Sequence, residues 1–262
     1  DNGQILSGGS PFEISTPYLT AELFDIKFAQ SADVMYITHP NHQTRKLSRT
    51  GHTSWTLTAV DFTNGPYLDT NTSTTTITAS AHTVGTGRTF TASASTFVST
   101  DVDRLIRFRD GYAKVTGFTS ATVVTVEIIK DTGSTSASTD WSLGAFSDTT
   151  GHPSCVSFFE QRLVFAATLS QPQTVFFSKS GDYENMDANI GGTVADDDAI
   201  IYTIASNQVN AIRFMAASRT LIIGTAGGEF TVTGGGDNNA ITPTNIMIKK
   251  QSNHGAANID AV

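Results

Sequence analysis

Three observations predict an all-β chain: a partial β-propeller of repeated antiparallel meander blades, carrying an inserted small β-barrel or sandwich. Forty Thr and 25 Ser make up about a quarter of the 262 residues while charged residues are only 15%, and β-branched Thr suits a pleated, half-buried surface better than a helix. Three segments repeat one pattern of short strand, turn, nearly all-apolar strand and more polar strand, which is how propeller blades look in sequence. A stretch from about residue 70 to 148 interrupts that pattern between two Thr/Ser tracts of the kind that form linkers or exposed turns.

Taken in order, the first repeat runs from residues 25–28 through a turn at Asp33 to 34–37 and 44–48, with a fourth strand at 54–58. Within the interruption, residues 88–92, 105–108, 112–118 and 122–129 read as strands separated by Asp110-Gly111 and 119–121. The second repeat is 156–159, a tight turn at Glu160-Gln161-Arg162, then 163–166 and 174–178, followed by a fourth strand at 199–204. The third is 211–214, 221–224 and 229–233. A middle strand apolar on both faces must be covered on both faces, so these meanders are expected to stack. Phe28, Tyr36, Phe165, Phe177, Leu221, Ile223 and Phe230 occupy equivalent positions and are expected to be buried. The division is then 1–69, blade strands and a leading segment; 70–148, the inserted β domain; and 149–262, further blade strands. A complete propeller needs at least four blades and about three are legible. Together with a start at Asp1 and an end just after the hydrophilic run 249–254, this predicts a piece of something larger.

Charge and cysteine content exclude several function classes. A formal charge of −8 without Lys/Arg clusters lacks the counterion-release footprint of tight nucleic-acid binding. No window has the roughly 18 consecutive apolar residues of a membrane helix. Cys155 is the single cysteine, so the fold stands without an intrachain disulfide.

The motifs that could carry chemistry mostly read as structural. His39, His42 and His52 suggest a metal site, yet Pro40-Asn41 makes their spacing a turn and no acidic partner is legible beside it; no metal or other cofactor is assigned. His152 and Cys155 have no third partner at a spacing typical of a nucleophile. Asp196-Asp197-Asp198 lacks the alternation of a calcium loop, and the glycines of 224–229 precede a strand without the Gly-Lys-Ser/Thr of a phosphate loop. No catalytic residue is assigned, and paired carboxylates for a hydrolase do not stand out. Trp55 and Trp141 could stack sugars if exposed.

The strings YITHPNHQTRKLSR (36–49), FEQRLVFAAT (159–168), QPQTVFFSKSGDYEN (171–185) and LIIGTAGGEF (221–230) together resemble the tail nozzle (tail tubular protein B) family of short-tailed bacteriophages, whereas residues 70–148 lie outside that pattern. The resemblance implies a structural, non-enzymatic virion protein that forms a homohexameric ring at the tail tip, below a ring of adaptor subunits, in a chain extending beyond both ends. Implied partners are tail fibres or spikes, the host outer surface and DNA in transit without tight binding. An acidic lumen would repel phosphates and keep DNA from adhering. The acidic loops able to project carry Asp182, Glu184, Asp196, Asp197, Asp198 and Asp237, and these are the candidate lumen-facing residues. The rival expectation is a glycan-binding adhesin or receptor-binding β module.

Overall fold

The computed structural model describes residues 4–205, 210–236 and 239–259. A short hairpin, β1 (Leu6–Ser7) and β2 (Ser10–Pro11), leads to a 3-10 helix, Thr20–Asp25. The first meander follows as β3 (Lys27–Ser31), β4 (Val34–His39), β5 (His42–Gly51) and β6 (Ser54–Ala59). The interrupting segment contributes β7 (Ile77–Ala79), β8 (Gly85–Ala92), β9 (Leu105–Phe108), β10 (Gly111–Ser120), β11 (Val123–Lys130) and β12 (Trp141–Leu143). The second meander is β13 (Cys155–Phe159), β14 (Arg162–Ala166), β15 (Thr174–Phe177) and β16 (Ile200–Thr203). The third is β17 (Ile212–Ala217), β18 (Leu221–Thr225), β19 (Gly228–Gly234) and β20 (Ile246–Ser252). Each meander is a separate four-stranded antiparallel sheet with its strands in sequence order.

Register follows from turn chemistry and burial. Lys27 pairs with Thr38 and Ser31 with Val34 in the first hairpin, and Ile212 with Thr225 and Ala217 with Leu221 in its counterpart. Glu160 and Gln161, at φ of 46° and 59°, make the two-residue turn between β13 and β14, because paired left-handed residues match the twist of the flanking strands. The fourth strands expected at 54–58 and 199–204 are β6 and β16. The fourth strand of the third meander, β20, was not expected: Lys249, Lys250 and Gln251 disguise an alternation in which Ile246 and Ile248 face the core.

The second meander is covered on both faces, and its side chains sort by the two-residue period of a strand. Val164, Ala166, Val175 and Phe177 pack with Ile212, Leu221, Ile223, Phe230 and Val232 of the third meander. Leu163, Phe165 and Phe176 pack with Tyr36 and with Val34, Phe62 and Phe146 on the other side. The three first strands, β3, β13 and β17, meet: β13 contacts both of the others. On the third meander, Ile222 points away from this core and is 36% exposed on β18. Tyr36, Phe165, Phe177, Leu221, Ile223 and Phe230 are buried as expected. Phe28 is not; it is 57% exposed. The inward positions of β3 go to its neighbours Lys27, which is buried, and Ala29, which packs against the core, so alternation turns Phe28 outward.

The interrupting segment forms one six-stranded sheet in the order β12-β9-β10-β11-β8-β7, around its own core that includes Phe90, Phe97, Ile106, Phe108, Val124 and Ile128. The sheet curls so that its edges approach, and Ile77 exchanges both backbone hydrogen bonds with Ser138 just before β12. The chain enters and leaves side by side, with Leu68 N–H donating to the Leu143 carbonyl and Asn71 N–H to that of Trp141, both at 2.9 Å.

Candidate functional site

Where the three first strands converge, Lys27 is 5% exposed and donates from Nζ to the carbonyl of Arg213 and, at 3.2 Å, to Asn258 Oδ1, with Cys155 Sγ at 3.6 Å. Buried Cys155 lies in this junction, while His152 Nε2 meets Asp148 Oδ1 at 2.8 Å. Burial lowers the His152 pKa, and Asp148 offsets this only in part.

The acidic loops are largely engaged within the chain. Glu184 Oε1 accepts from Tyr36 Oη at 2.8 Å and from Lys46 Nζ at 2.5 Å, tying the 182–185 loop to the first meander; burial and this carboxylate push the Tyr36 hydroxyl above its ordinary pKa. Asp198 is buried and pairs with Lys179 at 2.7 Å, while Asp197 reaches the same ammonium at 3.3 Å. The backbone of this loop wraps Arg162, which is 1% exposed and donates to the carbonyls of Ser178, Asp196, Asp197 and Asp198. Asp182 and Asp196 are exposed and form no ion pair among the described residues. Asp237 lies outside the described residues.

Trp141 is 9% exposed, with its indole N–H donating to the Thr75 carbonyl at 3.0 Å, so it offers no sugar platform. Trp55 borders a cleft with Gln30, Asp33, Met35, Leu47 and Arg49, but the Arg49 guanidinium stands over its ring at 5.7 Å. The glycines of 224–229 lie in the β18–β19 hairpin. A second cleft of about 230 Å³ separates the first meander from the inserted sheet and is lined by Gln43, Thr44, Asp61, Lys114 and His152 among others.

The one cluster of metal-ligand type among the described residues is Glu22, His39 and His42, whose donor atoms lie within 4.8 Å of one another. His39 ends β4 and His42 opens β5, and the two are register partners across the Pro40-Asn41 turn, with ring centroids 4.9 Å apart. Glu22 comes from the 3-10 helix, where its carboxylate accepts from the Leu19 N–H at 2.9 Å and from His42 Nε2 at 2.8 Å; these contacts hold its pKa below the usual carboxylate range. Burial lowers the pKa of His39, favouring its neutral form. Its Nδ1 accepts from the Asn41 N–H at 3.2 Å, while its Nε2 is buried without a hydrogen-bond partner. Tyr18, edge-on to His42 at 5.3 Å, likewise buries an unpartnered hydroxyl. His52 is apart from this group, in the β5–β6 turn. The motif 39–42 was visible in the sequence, but Glu22 is brought to it only by the tertiary fold.

No protein-family model matches this chain, and no curated protein matches it in sequence.

Proposed function

We propose that this chain is part of a ring-forming structural protein of the phage tail nozzle type, in which blades of a β-propeller form a rigid platform and the inserted sheet projects from it. The observation that carries the reading is the meeting of the first strands of three successive four-stranded meanders, β3 and β17 on either side of β13. That is the relation between neighbouring blades around a propeller axis. Leu19, Leu23, Phe24 and Phe28 are 53–96% exposed within ten residues of chain, and large exposed apolar side chains gathered in one segment favour a protein contact. Passage of DNA in this reading is governed by steric fit and repulsion, because each phosphate neutralised by Lys or Arg adds binding energy and slows sliding. Asp182 and Asp196 carry the uncompensated charge suited to a lumen, whereas Glu184, Asp197 and Asp198 are already paired.

The test is the mass of the full-length protein in solution. Analytical ultracentrifugation and native mass spectrometry should both give six subunits per particle. A monomer over the whole accessible concentration range, combined with saturable binding to a glycan array that Trp55→Ala abolishes, would replace the ring with the adhesin reading.

A further inference from the structure

We propose that Glu22, His39 and His42 form a binding site for a zinc-class divalent transition metal that clamps the 3-10 helix Thr20–Asp25 onto the β4–β5 turn. Two imidazoles and one carboxylate are the donor set preferred by a borderline cation such as Zn²⁺, and three protein ligands leave one position for water. The donor atoms, all within 4.8 Å of one another, are close to the spacing that set requires. Two ligands at roughly 2.0–2.1 Å from a tetrahedral ion lie about 3.3 Å apart. His42 Nε2 and Glu22 Oε2, at 2.8 Å, would separate by a few tenths of an ångström as the ion entered, and the longer separations would shorten.

Two buried polar groups at this cluster lack hydrogen-bond partners. His39 is 1% exposed and its Nε2 has no hydrogen-bond partner; the Tyr18 ring lies 6.1 and 5.3 Å from the two imidazoles, and its buried hydroxyl is likewise unpartnered. A buried polar atom without a partner costs about 1–3 kcal/mol, so two beside a His-His-Glu set favour a ligand over an empty cluster. Binding needs no redox partner: in each neutral imidazole the hydrogen on the ligating nitrogen moves to the other ring nitrogen, which costs His42 its contact with Glu22 and, for ligation through Nε2, costs His39 Nδ1 its hydrogen bond from the Asn41 N–H, and the freed lone pair goes to the metal. Glu22 lies on the helix that exposes Leu23 and Phe24. Metal binding would therefore order the segment that presents those apolar side chains, whether or not the chain forms a ring.

The experiment is titration of the untagged, chelator-stripped 262-residue chain with Co²⁺ and then Zn²⁺. One equivalent of Co²⁺ should give the intense visible absorption of a four-coordinate site, and Zn²⁺ should displace it. Glu22→Gln and His42→Ala, both at partly exposed positions, should keep the wild-type circular dichroism and weaken Zn²⁺ binding by at least about 10–100-fold, the loss seen even for residues outside the ligand set. His52→Ala should bind as wild type. Zn²⁺ should also slow backbone hydrogen exchange over residues 18–25. The absence of saturable binding, or binding equal to wild type in both Glu22→Gln and His42→Ala, would overturn the assignment. If His42→Ala proves misfolded, the Glu22→Gln result alone decides it.

Discussion

Replacing Arg162 with Met keeps an apolar stem of similar volume but removes the guanidinium that organises the 196–198 loop. The four accepting carbonyls are not equivalent. Those of Asp196 and Asp197 belong to exposed residues and can return to water, whereas those of Ser178 and Asp198 belong to residues 0% and 3% exposed. Two buried carbonyls left without donors, at about 1–3 kcal/mol each, give an expected loss of about 2–6 kcal/mol. Arg162→Lys should fall between, because one ammonium cannot reproduce the planar fork. Urea unfolding followed by fluorescence should show a lower midpoint at unchanged slope. The bonds run to backbone oxygen, so Asp196→Ala should change stability by less than about 0.5 kcal/mol. A loss in Arg162→Met below 1 kcal/mol, or an Asp196→Ala loss matching it, would refute capture of the loop backbone as the role of this residue.

Four further outcomes are expected. Phe165→Ala should cost about 3–5 kcal/mol, while Phe28→Ala should leave unfolding of the isolated subunit unchanged and weaken self-association, read by sedimentation. Because burial holds the folded-state pKa of His152 below its ordinary value of 6.5, its contribution to stability is present above that pH and is lost as pH falls through the folded value. Asp148 and His42 are the charged groups that act on it, and thermal melts from pH 7 down to 5 should fall less steeply in His152→Gln than in wild type. Replacing residues 72–140 with a short Gly/Ser linker should retain one cooperative transition, since Asn71 and Trp141 are joined by a backbone hydrogen bond; loss of that transition counts against an independent insertion. In the ring reading, Asp182→Lys with Asp196→Lys should fold normally and slow genome ejection in a salt-dependent way, whereas Asp198→Lys should destabilise the subunit by opposing Lys179.

The repeat of strand, turn and apolar strand made the three meanders legible, because a buried strand such as 163–166 has no polar face to hide its character. Phe28 was misplaced because the sequence of β3 does not show which of its two faces turns inward; Lys27 and Ala29 take the inward positions, and alternation sends Phe28 out. β7 and β12 escaped notice since three residues are too short for a period to show, and β20 because its outward residues are strongly polar. The cluster of Glu22, His39 and His42 was half visible: the two histidines are local, but Glu22 reaches them through packing of a helix that lies before β3. Likewise, nothing in the run Asp196-Asp197-Asp198 distinguishes the buried carboxylate from its exposed neighbours; that is decided by Lys179 and by the wrapping of Arg162.

A single-particle electron cryomicroscopy map of the full-length protein tests the central claim most directly. The account predicts a sixfold ring with an open axis, in which the three meanders fit each subunit as adjacent blades of a larger propeller. A particle without rotational symmetry, or a subunit in which the three meanders close on themselves with no further blade beside β3 or β17, would contradict it.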